Sequence, residues 1–240
     1  MNRILFIVFI LLSLHGLSQE YVPVPKKKDF KDFKLNPGVV ETAFRMTDGS
    51  SWDVMISVPQ KITSNTGLII ALHWGVSMNK YEEFMQCLVL PAVDTSQYIV
   101  LAPRSDRQAW WWETKEKQTA KLIFYANQFL PHKNTIVLGY SDGGTGAAYF
   151  ASKYPHLVDG AVAIAGNYLP ADQYDVPLYV AHGTNDELFE FSKAQTKINE
   201  SKANSQHVVF IAAEGYSHYE GCNYTTFLSE GIEWVNDRLN

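Results

Sequence analysis

From Gly67 onward the chain alternates between short, unbroken apolar runs and longer stretches with helical spacing. The runs are "GLIIALH" (67–73), "YIVLAP" (98–103), "TIVLGY" (135–140), "GAVAIAG" (160–166), "PLYVAHG" (177–183) and "HVVFIAAEG" (207–215). Continuous apolar runs of this length fit strands covered on both faces, because a strand with one wet face alternates instead. Helical spacing falls over 79–94, 114–130, 144–154, 189–204 and 224–239. Strand, helix, strand in repetition predicts an α/β fold with a mostly parallel sheet and helices on both sides. Ahead of it, "GVVETAFRM" and "SWDVMISVP" flank "TDGS", a hairpin that supplies an antiparallel edge.

The first eighteen residues follow a different pattern. Arg3 supplies positive charge, an apolar run extends from Ile4 to Leu14 broken only by Ser13, and "GLS" ends in small residues. That is the pattern of a secretory signal peptide. The run is shorter than the roughly eighteen apolar residues a membrane span wants, and no cysteine directly follows the expected cleavage point to carry a lipid. The expectation is a signal peptide over 1–18, an extension over 19–37 that lies on the surface, and one catalytic domain over 38–240. The protein is expected to be secreted or periplasmic, without a stable membrane anchor.

Composition changes this picture little. At 46% hydrophobic, the 240 residues suffice for one large core. The net charge of −5 (20 minus 25) becomes −6 (19 minus 25) once the arginine of the leader is removed, which gives nucleic acid no electrostatic footing. The lysines of "VPKKKDFKDFK" are interleaved with aspartates and read as a solvated segment. Cys87 and Cys222 form either a disulfide, which export permits, or a pair of buried thiols. No paired-ligand spacing of a structural metal site occurs, so neither metal nor cofactor is expected.

In parallel sheets of this kind ligands gather at the carboxyl ends of the strands. After the 135–140 run, Gly139, Ser141 and Gly143 form G-x-S-x-G between a strand and a helix, the context of a nucleophile elbow. In so tight a turn only hydrogen fits two positions either side of the serine. The competing reading, a serine that merely caps a helix, loses ground to two further strand ends. Asp186 follows the 177–183 run and His218 follows the 207–215 run. A serine hydroxyl needs a base to become nucleophilic, and the imidazole needs a carboxylate to fix its tautomer. Asp172 and Asp175 precede a strand and Asp159 ends a helix-to-strand turn, so all three read as surface or capping residues. His182 is expected to pack beside the acid loop, His207 to start an edge strand, and His132 and His156 to lie on the surface.

With "LHWG", "LAP" followed by tryptophans, "GYSDGG", "HGTNDE" and "GYSHYEG" in this order, the chain resembles an α/β-hydrolase. Within that group it is similar to the small esterases of the dienelactone hydrolase, phospholipase/carboxylesterase and feruloyl-esterase type. The resemblance implies Ser141 as nucleophile, Asp186 as acid and His218 as base. The oxyanion of acyl transfer needs backbone donors. Asp142 N–H is the first candidate, and the second comes from His73-Trp74-Gly75, where many relatives have His-Gly; Gly75 N–H is favoured, with Trp74 beside it.

Trp110, Trp111 and Trp112 stand in succession after the 98–103 run. Neighbours in sequence cannot all face one way, and in resembling carboxylesterases a tryptophan near this place borders the site, which points to Trp111 and Trp112 as substrate contacts. The connection before the 177–183 run is too short for a cap. An exported enzyme with an open cleft suits bulky esters, acyl or feruloyl groups on carbohydrate among them. The leading expectation is a secreted serine esterase. A serine peptidase or lipase of the same fold is the alternative, with a non-catalytic binding protein behind it.

Overall fold

A computed structural model describes residues 24–30, 33, 35–76, 78–169, 173–202, 205 and 207–240. The expected signal peptide lies outside these residues, as does Asp172. Eight strands form one sheet: β1 (Gly38–Arg45), β2 (Ser51–Val58), β3 (Gly67–Leu72), β4 (Tyr98–Pro103), β5 (Thr135–Tyr140), β6 (Gly160–Ile164), β7 (Leu178–Gly183) and β8 (Val208–Ala213). Their order is β1-β2-β4-β3-β5-β6-β7-β8. β1 and β2 pair antiparallel, as the hairpin pattern predicts, and β2 joins β4 antiparallel; all remaining pairs are parallel.

Every residue of β3 through β7 is buried. The reason is visible in the alternation of one strand. Leu68, Ile70 and Leu72 enter the core beneath α3 (Glu113–Phe129), α4 (Asp142–Lys153) and α5 (Phe191–Lys202). Ile69 and Ala71 enter the opposite core, closed by α6 (Thr225–Leu239) and the helical stretch after β3. β8 departs from the expectation of full burial: its four middle residues are only half buried, because it ends the sheet and has a neighbour on one side only.

The helix expected over 79–94 is present but not regular. It consists of α1 (Tyr81–Phe84), a π-helical turn (Met85–Val89) and α2 (Leu90–Ala92). Pro91 has no N–H to offer the carbonyl of Cys87, four residues back, and Leu90 N–H bonds instead to the carbonyl of Met85, five residues back. Cys87 in this turn forms a disulfide with Cys222, 135 residues away, which resolves the alternatives left open by spacing.

The 19–37 extension is fastened rather than loose where it is described. Phe30 is buried against Phe44 and Tyr125, with ring centroids 4.7 and 5.7 Å apart. The Asp29 carboxylate accepts the N–H and hydroxyl of Thr47, each at 2.8 Å. Lys26, Lys27 and Lys28 remain exposed, as expected of that run.

The strand order reverses beside β3, whose neighbours are β4 on one side and β5 on the other. The crevice at such a switch point opens between the loops that follow these strands. His73 directly follows β3 and ties those loops together. Its Nδ1 donates to the Trp74 carbonyl (2.7 Å) and its Nε2 accepts the Ser105 N–H (3.0 Å) from the loop after β4. The His73 carbonyl in turn accepts Trp110 Nε1–H at 3.0 Å. Below it, the fully buried Lys115 ammonium donates to the Arg104 carbonyl (3.0 Å) and Asp106 (2.8 Å), and lies over the Trp52 ring.

Two expectations follow. The disulfide closes so long a loop that replacing both cysteines by serine should lower the unfolding free energy by roughly 5 kcal/mol on chain-entropy grounds; urea unfolding of the oxidised protein and the double variant measures it, and coincident curves would refute it. The second concerns pH. Burial, helped by the Lys115 charge, pushes His73 down to about 4, against the bond to the Trp74 carbonyl that raises it. The unfolded chain takes up a proton near the ordinary imidazole value of about 6.5 while the folded one resists it. Stability is therefore full above about 6.5 and falls as pH drops toward about 4, with about 2–3 kcal/mol lost by about pH 4.5. His73→Asn should be less stable at neutral pH yet lose less on acidification; urea midpoints across that range would overturn this if wild type and variant decline in parallel.

Candidate active site

The turn from β5 into α4 is made by collision. A Cβ on Gly143 would sit 1.7 Å from the Leu72 carbonyl oxygen, and one on Gly139 would sit 2.1 Å from that of Gly143. With the helix pressed this hard onto β3 and β5, Ser141 is held at φ 57° and ψ −118°, a backbone that L residues seldom adopt. Its hydroxyl stands clear of the main chain at the start of α4, where unpaired N–H groups and the helix dipole favour negative charge.

Ser141, Asp186 and His218 come together although they lie on three separate loops. Ser141 Oγ is 2.9 Å from His218 Nε2, and His218 Nδ1 is 2.8 Å from Asp186 Oδ2. All three are buried. An ionised carboxylate only accepts, so Nδ1 carries the proton and Nε2 is left to accept the serine hydroxyl. Such a relay can draw the proton from Oγ as it attacks a carbonyl.

Each member is held from behind. Asp186 Oδ1 accepts the N–H groups of Leu188 (3.0 Å) and Phe189 (2.6 Å). Burial works to raise the Asp186 carboxyl, but the bonds from His218 and the Phe189 N–H, with the nearby imidazoles, outweigh it and hold the group below its ordinary value. His182 packs beside this loop as expected, its Nε2 donating to the Phe189 carbonyl at 2.7 Å and lying 3.3 Å from Asp186 Oδ2. Burial pushes its imidazole down. His218 is gripped at both ends of its backbone: Glu187 accepts its N–H at 2.8 Å, and the Tyr140 hydroxyl donates to its carbonyl at 2.6 Å. The Phe189 ring meets the imidazole edge-on at 5.0 Å.

A cavity of about 300 Å³ opens above Ser141. Its walls include Trp74, Gly75, Met78, Leu188 and Tyr219, with the Cys222 end of the disulfide also lining it. Trp74 is braced edge-on by Phe84 and Tyr140. Gly75, at φ 79°, also lies on the wall. Asp142 begins α4, so its backbone N–H starts the helix beside the serine. Its carboxylate was not anticipated as a site group. It bends back into the cavity and accepts the Val76 N–H at 2.7 Å. Burial raises this carboxyl, against the Val76 and Gly75 amides that favour its charged form.

The tryptophan expectation needs correction. Neither Trp111 nor Trp112 lines this cavity. Trp110 is buried as the anchor of the loop, Trp111 packs partly against the core, and Trp112 stands 52% exposed at the cap of α3. The aromatic walls come from Trp74 and Tyr219 instead. Of the rival acids, Asp159 accepts the Thr135 N–H at the start of β5 and Asp175 is exposed. What sequence reasoning missed are the groups that brace the His218 backbone, Glu187 and the Tyr140 hydroxyl, and the Asp142 carboxylate that holds the loop after β3. The adjacency of Glu187 to Asp186, and of Tyr140 and Asp142 to Ser141, was the one signal on offer.

The Dienelactone hydrolase family profile matches residues 69–219, more than half of the chain. No curated protein sequence matches it. Among solved structures, a thermostable esterase is similar at 18% identity and TM-score 0.66 over 83% of this chain, which spans 62% of that esterase's length. FphF, a fluorophosphonate-binding serine hydrolase of Staphylococcus aureus, is similar at 14% identity and TM-score 0.67, over 83% of this chain and 99% of its own. Esterase 2 of Thermogutta terrifontis, phosphonylated by cyclosarin, gives 14% and 0.66 over 84% and 95%. At these identities the structural likeness carries the fold, that of the α/β-hydrolases. The profile match, over more than half of the residues, carries more than the fold: the chain belongs to the Dienelactone hydrolase family.

Proposed function

We propose that this chain is a secreted serine esterase that cleaves carboxylic esters through an acyl-enzyme, with acyl or feruloyl esters on carbohydrate as its substrates. One observation carries the reading: the unbroken line from Ser141 Oγ through the His218 ring to Asp186, at 2.9 and 2.8 Å. Ser141 Oγ attacks the ester carbonyl while His218 Nε2 takes its proton. Asp186 keeps the imidazole in the right tautomer and stabilises its charged form. The tetrahedral oxyanion is met by Asp142 N–H and by the Trp74–Gly75 loop. His218 then returns the proton to the departing alcohol, and a water molecule repeats the sequence to free the acid.

What supports the substrate class is the shape of the cavity. Its rim is open, and among the described residues no cap domain covers it. Leu188 and Tyr219, 51% and 76% exposed, offer an apolar and aromatic surface to an acyl or phenolic group. Export is supported by the charged, apolar, small-residue pattern over 1–18 and by the Cys87–Cys222 disulfide, a bond that persists in oxidising compartments.

A fluorophosphonate probe should label the native protein, and Ser141→Ala should abolish the label. Asp186→Asn should lower kcat by about a thousand- to ten-thousand-fold with the fold intact by circular dichroism. A panel of acetyl, butyryl, long-chain and feruloyl esters, including a feruloylated oligosaccharide, should show turnover with ferulate release. An unlabelled native protein would end the esterase reading, and a panel turning over only long-chain esters would end the carbohydrate one.

A further inference from the structure

Resting on the esterase reading, we propose that the Asp142 side chain sets the charge class of ester that the site accepts. Neutral and cationic esters enter; esters that carry a carboxylate on the acyl side are turned away. Asp142 follows the serine directly, and its carboxylate lies on the wall of the same cavity. It is held there by the Val76 N–H at 2.7 Å, so it does not swing out to solvent.

No cation compensates this charge. Among the described residues, Asp142 enters no ion pair, and no lysine or arginine lines the cavity. Glu83 is the second charged side chain on the wall, and Lys80, which pairs with it at 2.5 Å, stands outside the lining. Behind the imidazole, Asp186 and Glu187 add charge of the same sign. The remaining walls are largely apolar or aromatic, and none of them carries a positive charge to offset an anion. Two like charges facing each other across a cleft walled largely by apolar and aromatic side chains repel more than they would in water. A carboxylate at the end of a six-carbon acyl chain meets that repulsion, and a quaternary ammonium at the same position is attracted.

The test compares three p-nitrophenyl esters of matched length at pH 8 with the purified full chain: the hexanoate, the monoester of adipic acid, and a hexanoate bearing a terminal trimethylammonium. The native enzyme should favour the neutral over the anionic ester by at least about tenfold in kcat/KM, the order that one unit charge produces over about 6 Å in a partly solvated site. Asp142→Asn keeps an oxygen for the Val76 N–H and removes the charge. In that variant the anionic-to-neutral ratio should rise by about tenfold and the cationic-to-neutral ratio should fall. Added salt should shrink the native discrimination and leave the variant's ratios nearly constant. A group that only held the loop in place would lower all three rates together, so ratios unchanged by the substitution overturn the inference, as do equal native rates on the three esters. If no ester of any charge turns over and Ser141 takes no fluorophosphonate, the esterase reading itself fails and the inference goes with it.

Discussion

The site depends on one steric fact, the contact of α4 with the backbone of β3. The Leu72 carbonyl comes so close to Gly143 that no side chain fits between them, and the Gly143 carbonyl closes on Gly139 in the same way. Without that approach Ser141 has no reason to leave the ordinary backbone regions, and its hydroxyl would lie among the helix-capping groups. Strain at φ 57° persists because buried sheet surrounds it on both sides. The same contact brings the start of α4 next to the loop after β3, so the strained Ser141 and the backbone N–H groups around it arise from a single packing event.

That arrangement places weight on the loops, which have little regular structure of their own. His73 answers this by remaining neutral. One nitrogen donates to Trp74 and the other accepts from Ser105, a pattern that a doubly protonated ring could not keep. Lys115 performs a related task beneath it, binding the Arg104 carbonyl and Asp106 while its ammonium rests on Trp52. A buried cation is costly to desolvate, and burial brings Lys115 down to about 8 despite Asp106. These groups explain why three tryptophans follow one another. Trp110 is spent on bracing the His73 carbonyl, Trp111 packs partly against the core, and Trp112 turns outward as α3 begins.

The sheet was legible because burial on two faces leaves a simple mark, and β4 and β5 coincide with their apolar runs residue for residue. The order of Ser141, Asp186 and His218 was legible for a related reason: each follows a strand whose end must lie on the same edge. Other features left no such mark. The pairing of Cys87 with Cys222 depends on a fold that brings residues 135 apart into contact, and two cysteines carry no spacing rule that foretells it. The walls of the cavity were misread because a run of tryptophans signals bulk and not direction. Trp74, a single residue at a strand end, faces the cavity, while the longer run turns away. The Asp142 carboxylate was hidden by its backbone, whose place in the elbow drew attention to the N–H alone.

The disulfide links these observations. Cys222 lies four residues beyond His218 in the 3-10 turn Gly221–Tyr224, and Cys87 lies in the π-helical turn that Pro91 imposes. The imidazole loop, which comes from the last quarter of the chain, is thereby fastened to the helix directly after the loop of Trp74 and Gly75. Its other supports are hydrogen bonds at the two ends of His218, from Tyr140 and to Glu187, each worth about 1–3 kcal/mol at most. A covalent tie limits how far Nε2 drifts from Oγ when those bonds fluctuate. Since Cys222 also lines the cavity, the bond that steadies the His218 loop forms part of the cavity wall. Alignment of the imidazole with Ser141 and shape of the cavity are therefore coupled, and a change in one reaches the other without passing through the sheet.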